Sequence, residues 1–273
     1  MINLVAYLER IGFTGACEPT WETLKALHFA HVCAIPFENL DSWLGDEVKL
    51  ELPHLEQKLV HERRGGYCYE HNTFFAAVLR QIGFEPHLHL ARVRWQIPAE
   101  VVTARSHLCI RVETAGHEWL VDPGFGGVGL TTPIQLGHAG EQKTSHDSRR
   151  LQPLPNGDLM HQMNLGAQNW ADVYQVEQQR IYPVDVRGAN WFTSTHPTSR
   201  FRRNLVITRV QNDHRRILLD REFVRRFTDG RVEREIIDSG DRLREILVDQ
   251  FDLPSSHPVL ARVQLPAITP PSS

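Results

Sequence analysis

What this chain lacks narrows its chemistry before any motif is found. No stretch approaches the roughly 20 consecutive apolar residues that a membrane-spanning helix needs, so no membrane partner is expected. The opening segment, MINLVAYLERIGF, carries charges among its apolar residues, which suits an amphipathic helix and not a secretion signal. Charge of one sign is scarce too. With 30 Lys and Arg against 33 Asp and Glu, the net −3 supplies no broad attraction for nucleic acid or an anionic surface. Cysteine is limited to Cys17, Cys33, Cys68 and Cys109, without the paired spacing of a metal site or the density of a disulfide framework. Reduced thiols in the cytoplasm are therefore the expectation. No metal is expected: His87 and His89 alternate along one strand face, but no third ligand accompanies them.

What is present is an ordinary globular composition, 41% hydrophobic and 23% charged over 273 residues, enough for a large core in one extended domain or a few packed subdomains. In residues 1–85 apolar side chains recur at three- and four-residue spacing: Leu4, Leu8 and Ile11; Trp21, Leu24 and Leu27; Leu52, Leu55 and Leu59; then Phe74, Phe75, Val78, Leu79 and Ile82, stopping at Gly83. This region reads as helices. Over residues 86–190 the short runs HLHLARVRW, SHLCIRVET, HEWLVD and DVYQVEQQ read as a β-sheet or small barrel. A polar stretch from Gly137 to Asp158 is expected to interrupt it as a long surface loop. Residues 191–273 mix strands, with a hairpin turn at Asp229-Gly230, and a helix capped by Ser239. The closing ITPPSS reads as a frayed end.

In RRGGYCYEHNTFF, Cys68 falls at the start of the fourth helix, expected to begin near Tyr69. A free cysteine is ordinarily a small packing residue. Here the unpaired N–H groups and dipole of a helix N-terminus favour a thiolate over a neutral thiol, and Gly65 and Gly66 leave the sulfur approachable. The helix end alone supplies only about 0.3–1 kcal/mol, so a second partner is required. His107 is a candidate for that partner, because Leu108, Ile110 and Val112 alternate with it and leave it on the other side of its strand. Asp122 ends the next strand. A turn at Ala115-Gly116 would join the two as a hairpin, making His107 and Asp122 cross-strand partners. The chemistry requires all three types: imidazole takes the thiol proton, imidazolium holds the thiolate by charge, and the carboxylate holds the imidazolium.

Several motifs together resemble the arylamine N-acetyltransferase family: IPFENLD from Ile35 to Asp41, RRGGYCYE around Cys68, TARSHLCIRV around His107, WLVDPGFGG around Asp122 and STHPTSRF from Ser194 to Phe201. They extend from the first helices into the final third. The resemblance implies an α+β fold with a cysteine-protease-like Cys-His-Asp core: a helical bundle over 1–85, a β-barrel over 86–190 and an α/β lid over 191–273. It implies a ping-pong reaction in which acetyl-CoA, the acyl-donor cosubstrate, loads Cys68, His107 accepts the proton, Asp122 orients the imidazole, and an aromatic amine or hydrazine collects the acetyl group. It further implies that Phe37, Tyr69, Phe125 and Phe201 line the acceptor pocket, that Gly126 and Gly127 lie against the coenzyme pyrophosphate, and that Arg64, Glu38 and Asn39 brace the cysteine loop. Pro123 departs from the family, which more often has an aliphatic residue there, and it removes a backbone donor beside Asp122.

The trio by itself leaves a thiol hydrolase or a transglutaminase-like acyltransferase open, since both use it in the same chain order. A nucleic-acid-binding protein rests only on Arg200, Arg202, Arg203, Arg215, Arg216, Arg225 and Arg226. Asp213, Asp220, Glu222 and Asp229 dilute that charge, so no nucleic-acid partner is expected.

Overall fold

The helical spacing of the first region is realised as α1 (Leu4–Ile11), α2 (Trp21–Ala34), α3 (Leu40–Leu44), α4 (Leu52–Glu56) and α5 (Cys68–Ile82), in a computed structural model that describes residues 1–267. ITPPSS lies outside the described residues. Caps fix the helix ends: Asn3 Oδ1 accepts the Ala6 N–H, Thr20 Oγ1 accepts the Thr23 N–H, and Gly83 ends α5 at φ 108°. α4 runs on into a π-helical turn over Gln57–His61. α3 was not legible in IPFENLD, because five residues give no period. Tyr7, Leu24, Leu27, Phe74, Phe75 and Leu79 form the bundle core, and Ile110, Val112 and Val121 from the sheet complete it.

That sheet contains β2 (His87–Val93), β3 (His107–Thr114), β4 (His117–Val121), β5 (Ile134–Gln135), β6 (Gln142–Lys143), β7 (Ser148–Pro153), β8 (Leu159–Asn164) and β9 (Trp170–Val176), counting as β1 the pair Phe37–Glu38 in the first region. Its order, β5-β4-β3-β2-β9-β8-β7-β6, curls into a barrel whose two edges meet through Gln135 and Gln142. The Gln135 N–H donates to Gln142 Oε1 at 2.7 Å, and Gln142 Nε2 donates to the Gln135 carbonyl at 2.9 Å. The polar stretch expected as a loop holds β6 and β7 instead. Arg149, fully buried, enters the barrel because Asp147 takes its guanidinium at 2.5 and 2.7 Å, which offsets the cost of burying the charge.

In the last region α6 (Pro183–Thr195) and α7 (Arg200–Arg203) precede β10 (Val206–Val210), β11 (His214–Leu219), β12 (Glu222–Phe227) and β13 (Val232–Ile236), then α8 (Gly240–Asp249) and α9 (Val259–Arg262). The Asp229-Gly230 hairpin and the Ser239 cap are both present. α6 runs through residue 190, so the division expected there falls inside a helix. β1 is an edge of this last sheet, with Phe37 opposite Thr208 and Glu38 opposite Ile207, so the first and third regions share a sheet.

Polar groups sit inside the bundle. The Tyr7 hydroxyl bonds His31 Nδ1 at 2.9 Å, His31 Nε2 bonds His71 Nδ1 at 2.8 Å, and His71 Nε2 donates to the Pro36 carbonyl at 3.1 Å. A carbonyl can only accept, so the proton placement that satisfies the row has every imidazole neutral. Burial is the main reason that His71 and His28 are each lowered to about 4. An unfolded chain, titrating near 6.5, binds more protons than the folded one between pH 6.5 and 4, so stability falls as the pH falls through that window. The expected loss is about 3 kcal/mol per histidine. Urea unfolding of wild type and His71→Gln at pH 7.5 and pH 4.5 checks it: the variant should lose less stability over that window, and an equal loss in both proteins would refute the neutral buried row.

Candidate active site

Cys68 is the first residue of α5, one position earlier than expected, and Tyr67 is the cap. The Glu70 carboxylate reaches back to accept the Tyr67 N–H at 3.0 Å, and the first helical bond runs from the His71 N–H to the Tyr67 carbonyl. The N–H groups of Cys68 and Tyr69 belong to the first turn and have no intrahelical acceptor. The sulfur lies 3.8 Å from the Ser106 carbonyl, beside the start of β3, and the residue is 3% exposed.

His107 does lie opposite the series Ile110 and Val112, but that other side is the barrel interior and is equally buried, shared with Cys109. Asp122 stands one residue beyond the Ile110–Val121 pair, so it faces Cys109 and His107 reaches it on the diagonal. His107 Nε2 donates to Asp122 Oδ2 at 2.8 Å, leaving Nδ1 for Cys68. Asp122 Oδ1 accepts from Asn72 Nδ2 at 2.9 Å and from the Gly124 N–H at 3.1 Å. Burial alone would lower the His107 pKa. The Asp122 charge and hydrogen bond, joined by those of Cys68, outweigh it and leave the imidazole raised to about 10. Burial would likewise raise Asp122, yet the His107 charge, with bonds from His107 and Asn72, holds it below the usual carboxylate range. The site is thus built to keep an imidazolium paired with a carboxylate in a dry interior.

Three residues beyond the expected set complete this geometry. Asn72 is one helical turn after Cys68 and ties α5 both to Asp122 and to the Leu108 carbonyl, at 2.5 Å. Gly124 has no space for a side chain, since a Cβ would sit 3.0 Å from Cys68 Cα and 2.7 Å from Asn72 Nδ2, so the turn after Asp122 closes directly on Cys68. Tyr174 of β9 places its ring 4.9 Å from His107. The Cys68+4 spacing could have found Asn72. Strand alternation gave no signal for Tyr174.

The expected surroundings are mostly assembled, with corrections. Phe37 and Phe201 are 5.8 Å apart, Tyr67 joins Phe201 at 5.6 Å, and Phe125 stands edge-on to His107 at 5.0 Å. Tyr69, expected as a pocket wall, is fully buried with its hydroxyl on the Arg105 carbonyl. Arg64 and Glu38 join an ion-pair network beside the cysteine loop: Arg64 Nη2 meets Glu38 at 2.6 Å and Nη1 meets Asp41 at 2.7 Å, while Lys58 joins Asp41 and Glu70 at 2.6 Å each. Asn39 does not. Its amide donates to the Phe201 and Asn204 carbonyls and accepts the Val206 N–H, so it positions the Phe201 segment. Gly126 has an internal reason to be glycine, φ 84° with the Phe37 ring 3.0 Å from a would-be Cβ, whereas nothing packs tightly at Gly127. Pro123 leaves no donor wanting, because the N–H groups on either side of it are both taken inside the protein.

A helix-start cysteine beside a buried histidine and aspartate on neighbouring strands is an arrangement that thiol-dependent acyl transfer uses. A family model described as N-acetyltransferase matches residues 20–258. The arylamine N-acetyltransferase of Mycolicibacterium smegmatis is 37% identical over 259 residues, 92% of each chain, and the arylamine N-acetyltransferase / N-hydroxyarylamine O-acetyltransferase of Salmonella typhimurium is 35% identical over 92% of this chain and 88% of its own. The solved Mycobacterium marinum arylamine N-acetyltransferase in complex with CoA superposes with a TM-score of 0.87 at 35% identity, covering 92% of this chain and 93% of that one. The chain belongs to the arylamine N-acetyltransferase family.

Proposed function

We propose that this enzyme moves acetyl from acetyl-CoA, by way of a Cys68 thioester, to the nitrogen of arylamines and arylhydrazines or the oxygen of N-hydroxyarylamines. The observation that carries the reading is the buried 2.8 Å His107–Asp122 bond beside a cysteine on the first turn of α5. The Cys68 thiolate attacks the thioester carbonyl and coenzyme A leaves as its thiolate, an exchange of like bonds. The tetrahedral oxyanion needs donors already in place. The Cys68 and Tyr69 N–H groups supply them, because those of Asp122 and Gly124 are spent internally. A weakly basic aromatic amine is unprotonated at neutral pH and attacks the acetyl-enzyme, and His107 carries away the proton it sheds. Phe37, Phe201 and Phe125 offer the aryl ring its packing faces, while the surrounding apolar cluster limits competing water. The cytoplasm, where thiols stay reduced, suits such a nucleophile.

Incubation with acetyl-CoA alone, acid quenching and mass spectrometry of the Cys68 peptide will show one added acetyl group, which an arylamine then discharges. Loss of that group at the same rate without an amine would favour the thiol hydrolase. A panel of amines, hydrazines and hydroxylamines at fixed acetyl-CoA orders the acceptors.

A further inference from the structure

Asp122 is held at three polar points by residues already described, its two carboxylate oxygens meeting His107, Asn72 and the Gly124 N–H. The fourth point is its own backbone N–H. β4 ends at Val121, so that N–H lies outside the strand's bonding. It is satisfied from another layer of the protein, by His28 Nε2 on α2 at 3.3 Å. His28 is fully buried among apolar neighbours, with Phe75 edge-on at 6.2 Å, and has no contact with solvent that would explain an imidazole at this position.

The tautomer follows from the partner. A backbone N–H can only donate, so Nε2 must be bare and the ring proton must sit on Nδ1. Nδ1 has no hydrogen-bond partner among the described residues. Burial keeps the ring neutral by lowering its pKa to about 4, which preserves the acceptor at working pH. A leucine of similar size would fill the space and leave a buried N–H unpaired at the residue whose carboxylate must hold the imidazolium.

We propose that His28 is a positioning residue for acyl transfer, which acts through the Asp122 backbone and sets where β4 releases the Asp122 carboxylate toward His107. It touches neither substrate nor the reacting sulfur. Its effect reaches Cys68 through Asp122 and His107, and also through Gly124, two residues on, whose backbone closes on Cys68. This role rests on the reading of Cys68, His107 and Asp122 as the acyl-transfer machinery.

The test uses one amide at two reaches. In His28→Gln the amide oxygen occupies the place of Nε2 and can accept the Asp122 N–H; in His28→Asn the same group ends at the place of Nδ1 and falls short. The readouts are the rate and pH profile of Cys68 alkylation by iodoacetamide, kcat and KM for an arylamine, and the melting temperature. His28→Asn is expected to slow alkylation of the folded enzyme and lower kcat about tenfold, with its alkylation profile displaced from wild type, while His28→Gln keeps most of both. A purely structural role would lower the melting temperature of both variants and leave the alkylation profile in place. Superposable profiles for His28→Asn and wild type, or a His28→Gln variant as slow as His28→Asn, would overturn the proposal. Failure of the wild-type protein to form acetyl-Cys68 would instead overturn the function it serves, so the two failures are distinguishable.

Discussion

Replacing Cys68 with serine will lower arylamine acetylation on the order of 10⁴-fold or more and abolish the acetyl-enzyme. The fold should survive, since one sulfur becomes one oxygen in a space bounded by Leu108, Tyr67 and Phe37. What is lost is charge. Sulfur can carry the negative charge that the His107 imidazolium holds, whereas an alcohol oxygen keeps its proton. The comparison to make is single-turnover acetylation from acetyl-CoA with equal folded protein by circular dichroism. A serine variant turning over at even a hundredth of the wild-type rate would remove Cys68 from the role of nucleophile.

Replacing Asp122 with asparagine comes next in size, about 10³- to 10⁴-fold in kcat/KM. The two side chains match in shape, so packing is nearly unchanged. The imidazolium loses the charge that outweighs its burial, and the His107 pKa should fall from about 10 toward the value that burial dictates. A neutral imidazole no longer holds the thiolate, so iodoacetamide alkylation of Cys68 should slow at pH 7 and recover only at higher pH. Alkylation at the wild-type rate across that range would show that the carboxylate does not support the ion pair.

The parts of this protein that could be read in advance are those where local pattern and final environment agree. Leu52, Leu55 and Leu59, or Phe74, Val78 and Ile82, announce a helix because the same spacing that builds it also buries it. Cys68, His107 and Asp122 were legible as chemical types placed beside breaks in pattern: a glycine pair, a strand start and a strand end. Elements that owe their form to distant partners were not. α6 opens with a proline and with Asp185 accepting the Tyr182 N–H, a sound start, but Gly188 and four β-branched residues weaken its pattern, and its place comes from Asn190 and Ser194 bonding other segments. β7 was hidden because Arg149 reads as surface until Asp147 and Arg215 are seen around it. Tyr69 and Asn39 lay in the right motifs, yet which way each side chain turns depends on Arg105 and on residues 201–206, which no local reading supplies. His28 and His31, a turn apart on α2, gave no signal at all without their acceptors and donors.

The two-residue strand β1 has a consequence for how the enzyme comes into being. Phe37 and Glu38 are made early in synthesis, but the strand they pair with, and the Phe201 carbonyl that Asn39 bonds 162 residues later in the chain, emerge only when the last third is being translated. Until then Phe37 has only its first-region neighbours, Gly66 and Tyr67 among them, and the segment before Cys68 is tethered on one side only. Contacts this distant in sequence form late and slowly. A nascent bundle can therefore carry its nucleophile well before it has anywhere to put an aromatic acceptor, and activity should appear on the ribosome abruptly, near the end of translation.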